Sequence, residues 1–210
     1  MPAATLSRVI YLYQDGHTDK ALSCLEEVKF HYVNAKETAD ILYNFFCYYR
    51  GLVEFHEKGD YDRASDFYDL AITPHESLNE SSFICCPCCY PCLIKDGDTC
   101  CCQLGYIGKG DILGTQGELE GAAEWYKKAA SLYPPNFRDE MSSHIAHFRR
   151  GIAMEKLGNY EEALNCYSAS LQSTRPSVRY DCAKRLHLDA IWGKNRVKEY
   201  YMKWGTVSET

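Results

Sequence analysis

Four times along the chain a glycine is followed five residues later by an alanine: Gly16 and Ala21, Gly59 and Ala64, Gly117 and Ala122, Gly158 and Ala163. A bulky residue comes four positions after each alanine (Leu25, Tyr68, Tyr126, Tyr167), and a small or β-branched one three positions later still (Val28, Ala71, Ala129, Ser170). Steps of four and three stay on one stripe of an α-helix, so every copy turns the same face to one neighbour. The alanine allows close approach of that neighbour. The glycine falls where a preceding helix must stop, because glycine takes the left-handed conformation of a helix C-terminus without steric cost. The unit predicted is helix, tight turn, helix, repeated.

These residues resemble the tetratricopeptide repeat. The second-helix pattern of that family is clearest in Lys156-Leu157-Gly158-Asn159-Tyr160-Glu161-Glu162-Ala163-Leu164-Asn165-Cys166-Tyr167. The stretch from Gly117 to Pro134, with its closing proline, and the stretch from Gly59 to Tyr68 also fit, whereas Gly16 to Val28 fits weakly. Gly51, Gly110 and Gly151 lie mid-way along the first helices, where the family packs its two helices closest. The resemblance implies an all-α, TPR-like α-solenoid of about four helix-turn-helix repeats with a C-terminal capping helix. Equivalent alanines are 43, 58 and 41 residues apart, against about 34 in the usual repeat. The repeats are therefore long-helix variants, as in kinesin light chain or the bacterial Rap-type regulators.

The expected organisation is repeats 1 and 2 over residues 1–73, a cysteine-rich insert over 74–102, repeats 3 and 4 over 103–176, and a basic capping helix or helices over 177–204. Asn34 with Glu37 reads as a capping box opening a helix that runs to Lys58; Asn136 with Asp139 opens another through Leu157, and Ser177 caps a helix from Val178. The 17 tyrosines fill seams between helices. No apolar run is long enough to span a membrane, and Met1 to Ile10 lacks the pattern of a secretory signal, so a cytoplasmic protein is expected.

Eight of the 12 cysteines crowd the insert: Cys85, Cys86, Cys88, Cys89, Cys92, Cys100, Cys101 and Cys102. Three readings stay open. Cys86, Cys89, Cys100 and Cys102 have spacing that permits a zinc site. Cys85, Cys86, Cys88 and Cys89 beside Phe83 and Ile84 suit S-palmitoylation, which would attach the protein to a membrane. The third is a loop with no dedicated role, and no other cofactor is implied. Cys24, Cys47, Cys166 and Cys182 lie on helical stripes and read as buried thiols.

Catalysis has little support. Glu140, His144 and His147 share a helix face without a zincin sequence around them, and Gly105 to Gly110 lacks the spacing of a phosphate loop. The remaining function is interaction. First helices of stacked pairs form an inner wall that accommodates an extended peptide or a partner helix, and the register places Tyr13, Tyr48, Leu52, Phe55, His56, Asp111, Phe148, Ile152 and Glu155 toward it. Family members that hold chaperone tails use asparagines and basic residues on successive first helices; here Ile10, Tyr49 and Gly108 stand at those places and Arg149 alone fits, which disfavours that ligand.

Charge is uneven. Val178 to Trp204 carries seven Lys or Arg against three acids, a net of +4, while the whole chain is −6. An acidic body disfavours nucleic acid. The basic segment is expected to cap the last repeat through Cys182, Leu186, Ala190, Val197 and Trp204. The expectation is a non-catalytic scaffold binding a peptide or protein; the alternatives are an adaptor controlled by the cysteine loop through lipid or zinc, or a peptide-sensing regulator.

Overall fold

The computed structural model describes residues 8, 12, 17, 20, 21, 23, 24, 27, 47–76, 101–132, 140–173 and 181–204. Helix α1 covers residues 47–58, with its last turn, Glu54–Lys58, wound as a π-helix. It is followed by α2 (Tyr61–Glu76), α3 (Cys101–Gln116), α4 (Leu119–Ser131), α5 (Glu140–Lys156), α6 (Tyr160–Ser173) and α7 (Asp181–Trp204). The chain forms two compact units, one of residues 1–95 with 100–108 and one of 96–99 with 109–210.

The glycine-to-alanine step closes a turn that recurs along the chain, with one residue's difference in the second copy. Gly59, Gly117 and Gly158 have φ of 65°, 87° and 77°, the left-handed values that favour glycine. In the third and fourth copies the residue after the glycine donates its N–H five residues back, Glu118 to Leu113 and Asn159 to Met154. The first copy closes identically, His17 to Leu12, although its sequence pattern is weak. The second differs by one residue, Asp60 to Glu54, because the π-turn of α1 takes up an extra residue. All four alanines then donate to the carbonyl of the residue after the glycine: Ala21 to His17, Ala64 to Asp60, Ala122 to Glu118 and Ala163 to Asn159. That residue is the N-cap. Asp60 and Asn159 also cap with their side chains, receiving the N–H of Arg63 at 3.0 Å and of Glu162 at 3.2 Å.

Packing follows from the small residues. Ala64, Ala122 and Ala163 are fully buried, and so are Ala71, Ala129 and Ser170 at the next position of the stripe. Between them the tyrosine ring lies flat on a glycine of the first helix. A Cβ on Gly51 would come within 2.6 Å of Tyr68, one on Gly110 within 2.5 Å of Tyr126, and one on Gly151 within 2.9 Å of Tyr167. Two rings are also met from the other side by the next first helix: Gly108 of α3 lies against Tyr68, and Gly193 of α7 against Tyr167. In α5 the corresponding place is taken by Arg149, two residues before Gly151 as Gly108 is two before Gly110.

Two boundaries of the expected insert need correction. Helix α2 continues through Pro74 to Glu76 and α3 opens at Cys101, so residues 74–76 and 101–102 are helical rather than part of the insert. Pro74 lies in the last turn of α2, so the hydrogen bond that its missing N–H removes is among the last in the helix. The capping segment is one helix, α7, and Gly193 gives it the register of a further first helix. Ala190 and Val197 are buried as expected, with Leu186 half-buried; the side chains of Cys182 and Trp204 lie outside the described residues. Asn34, Glu37, Asn136, Asp139 and Ser177 also lie outside them.

Replacing Ala122 or Ala163 with leucine forces a larger side chain into a fully buried contact, and each variant is expected to lose about 1–3 kcal/mol. Urea denaturation measures this; an unchanged midpoint for both would contradict the packing register.

Candidate functional site

Two of the second-helix tyrosines that lie on glycine, Tyr126 and Tyr167, reach the first-helix surface with their hydroxyls. A buried phenol requires an acceptor there. Tyr126 donates to Asp111 Oδ1 at 2.7 Å, and Tyr167 donates to Glu155 Oε2 at 2.8 Å. Burial, followed by the charge of Asp111, raises the Tyr126 phenol well above its ordinary pKa; burial and the bond to Glu155 do the same for Tyr167.

Each carboxylate also meets a guanidinium from the next first helix. Arg149 on α5 lies 3.6 Å from Asp111 on α3. Arg196 on α7 makes a two-pronged contact with Glu155 on α5, Nε to Oε1 at 2.6 Å and Nη2 to Oε2 at 2.8 Å. Burial works against the charge of Glu155, but the hydrogen bonds from Arg196 and Tyr167 outweigh it and hold the carboxyl below its ordinary value. The two arginine side chains are 49% and 62% exposed. They are thus fixed by a carboxylate on one side and open to solvent on the other. A bidentate Arg–carboxylate pair sets direction as well as distance.

Beside Arg196 is a cavity of about 390 Å³ lined by Ile152, Glu155, Lys156, Tyr160, Val197 and Tyr200. The Tyr160 and Tyr200 rings stand 4.7 Å apart. The cavity offers aromatic and aliphatic walls with two cations, Lys156 and Arg196, and one neutralised carboxylate.

The expected groove residues fall into distinct settings. Asp111 and Glu155 are at the first-helix surface but are held by tyrosine and arginine. Phe148 packs on Tyr167, ring centroids 6.0 Å apart, and with Ile152 borders the buried Ala163–Tyr167–Val197 cluster. In the first unit Tyr48 lies 6.1 Å from Tyr68 and Phe55 lies 5.5 Å from Tyr61; Leu52 is half-buried and His56 exposed. Tyr13 lies outside the described residues. Arg149, which the sequence singled out only as a basic residue at a chaperone-tail position, and Arg196 were absent from that set because a charge on a helix gives no sign in the sequence of which neighbouring helix it meets.

Among the described residues no three His, Cys, Asp or Glu side chains converge; the side chain of Glu140, which shares the helix face of His144 and His147, lies outside them. His144 is fully buried; its Nδ1 donates to the Ser170 carbonyl at 2.7 Å, and the Ser170 hydroxyl donates to the His144 carbonyl at 3.1 Å. Burial lowers the pKa of both histidines. Cys47 and Cys166 are buried, and burial pushes the Cys166 thiol up to about 11; Cys24 is half-buried. Cys85, Cys86, Cys88, Cys89, Cys92 and Cys100, and the side chains of Cys101 and Cys102, lie outside the described residues, and with them the zinc and acylation readings.

A histidine kept neutral in the fold leaves the unfolded chain binding more protons once pH falls below about 6.5, so stability rises with pH through that range. The melting midpoint is expected to be lower at pH 5 than at pH 7, with a smaller drop in His144→Gln; an identical drop in both would contradict this role. The stability that comes from the depressed Glu155 carboxyl is lost at lower pH, below the ordinary carboxylate range.

Comparison with known proteins follows the helix pairs. Residues 102–136 match a family model described as tetratricopeptide repeat, and residues 144–175 match a second model of the same description. These spans are α3 with α4 and α5 with α6. An uncharacterized protein of Methanocaldococcus jannaschii is 38% identical over 66 residues, 31% of this chain and 69% of that protein.

Proposed function

The chain belongs to the tetratricopeptide repeat family, and from that premise we propose that it is a non-catalytic scaffold whose first-helix surface binds an extended, acidic peptide segment of a partner protein. Repeats of this family serve as interaction modules. No described helix is long and apolar enough to cross a membrane.

The observation that carries the reading is the pair Arg149 and Arg196. Each is anchored to a carboxylate of the preceding first helix while about half its side chain faces solvent. Arg196 uses Nε and Nη2 on Glu155, so its Nη1 edge is directed elsewhere; a guanidinium has five N–H donors in a fixed fork. An incoming carboxylate meets donors that are already oriented, which reduces the entropy lost on binding. Next to it the cavity between Ile152, Val197, Tyr160 and Tyr200 suits one apolar or aromatic side chain of the same peptide. A ligand with an acidic residue adjacent to an apolar anchor fits both features.

Selection from a displayed random-peptide library against the full chain is expected to enrich acidic sequences with one apolar anchor. Their affinity, read by fluorescence anisotropy, should fall at least about tenfold in Arg149→Ala/Arg196→Ala, the loss of two charge-assisted contacts. Lys127→Ala, a change at an exposed second-helix residue that pairs with Glu124, should leave binding unchanged. Enrichment of neutral or basic peptides, or equal binding to the double variant, would overturn the proposal.

A further inference from the structure

His144 of α5 is fully buried between α6 and α7. One side of its ring is fixed: Nδ1 bonds the Ser170 carbonyl of α6 at 2.7 Å, and the Ser170 hydroxyl bonds the His144 carbonyl at 3.1 Å. The other ring nitrogen, Nε2, is buried and has no hydrogen-bond partner. The His187 ring of α7 stands 6.3 Å away, centroid to centroid. A neutral ring with its proton on Nδ1 leaves only a lone pair at the unpartnered place. A protonated ring puts a charged N–H there, and a buried charged donor without an acceptor is among the costliest groups in a fold.

The surroundings do not relieve that charge. Among the described residues the charges that act on His144 are His187 from α7 and His147 from α5 itself, both of its own sign, and α4, which also packs on α5, adds none. His147 faces a further cation, Arg150. On α6, Glu162 is taken up by Arg150 at 2.9 Å, and Cys166, its thiol pushed up to about 11 by burial, stays uncharged near neutral pH. Helix α3 fills the equivalent place with a group that does not titrate: Gln103, seven residues before Gly110 as His144 is seven before Gly151, is likewise fully buried.

Protonation at Nε2 leaves the Nδ1 bond to Ser170 in place, so the contact of α5 with α6 survives and the contact with α7 yields. Helix α7 rests on α6 and α5, while Leu188 and Trp192 on its other side are exposed. The first-helix site is built across this same contact. Arg196, nine residues or about two and a half turns after His187, is held by Glu155 of α5, and the cavity beside it takes its walls from Ile152 of α5, Tyr160 of α6, and Val197 and Tyr200 of α7. We propose that protonation of His144 releases α7 from α5 and α6 and thereby frees the acidic peptide bound at Arg196, so that ligand binding is gated by pH. The ligand half of this rests on the function proposed above; the release of α7 does not. Burial lowers the pKa of His144, so docking of α7 is at full strength above the ordinary histidine value of about 6.5 and weakens as pH falls below it. Glu155, with its carboxyl below the ordinary value, keeps its charge through that range.

Two measurements on the full chain test the two halves. Hydrogen exchange without ligand, corrected for intrinsic rates, is followed from pH 7 to pH 5. Protection of α7 amides is expected to fall by up to about tenfold per pH unit, the limit for one proton taken up on release, while α4 amides keep theirs. In His144→Gln, which supplies the residue α3 carries at this place, α7 should keep its protection. Unchanged protection of α7 in the wild type, an equal loss along α4, or the same loss in His144→Gln would overturn the release. In parallel, the tightest acidic peptide selected against the full chain is titrated at both pH values. Its affinity should fall at least about fivefold at pH 5 in the wild type and less than about twofold in His144→Gln, a comparison in which protonation of the peptide's own carboxylates cancels. Equal losses in the two proteins would overturn the gating. If no acidic peptide binds at pH 7, the function proposed above fails and the gating with it, and hydrogen exchange alone decides whether α7 is released.

Discussion

The structure depends on one contact, a second-helix tyrosine laid on a glycine of the first helix. Without the glycine the helices could not come close enough to bury the ring, since any Cβ would fall 2.5–2.9 Å from it. Glycine inside a helix costs about 1 kcal/mol relative to alanine. Burying a large aromatic side chain returns more than that. The contact extends beyond one pair at Tyr68 and Tyr167, where Gly108 and Gly193 of the following first helices close on the opposite side of the ring. A single ring therefore joins three helices, and the small residues before and after it in the stripe let the flanking turns close.

That core contact also sets the surface chemistry. A tyrosine so placed must bring its hydroxyl out at the first-helix surface, where it needs an acceptor, and Asp111 and Glu155 provide one. A carboxylate bonded on one side by a phenol is positioned to hold a cation on the other. Arg149 and Arg196 occupy those places from the next first helix. Where α5 replaces the second glycine with Arg149, packing on the ring is exchanged for an ion pair across to Asp111. The oriented, half-exposed guanidiniums are thus a consequence of how the tyrosines are buried.

The turns and helix pairs were legible because glycine and alanine leave a positional mark: left-handed φ at Gly59, Gly117 and Gly158, and complete burial of Ala64, Ala122 and Ala163, follow from their places in the pattern. The weak first copy still closes through His17 and Leu12, since backbone bonding needs no particular side chain there. The π-turn at Glu54–Lys58 is marked by spacing alone, since Gly51 precedes Gly59 by eight residues where Gly110 and Gly151 precede Gly117 and Gly158 by seven. Helical period placed Asp111, Phe148, Ile152 and Glu155 near the first-helix surface, but it could not tell an open side chain from one held by a tyrosine 12 or 15 residues away. The repeat character of α7 was obscured because its mid-helix position holds Asn195 instead of glycine. Its only compact signal is Gly193, whose meaning depends on Tyr167 in another helix.

The central claim is that tyrosine and glycine are coupled, and a double-mutant cycle at Tyr167 and Gly193 measures that coupling directly. In the wild-type background Gly193→Ala should cost about 1–3 kcal/mol by urea denaturation, because its Cβ would stand 2.7 Å from the ring. In a Tyr167→Val background, with the ring gone, the same change should be neutral or stabilising by up to about 1 kcal/mol, the ordinary helix preference for alanine. An equal cost in both backgrounds would contradict the account.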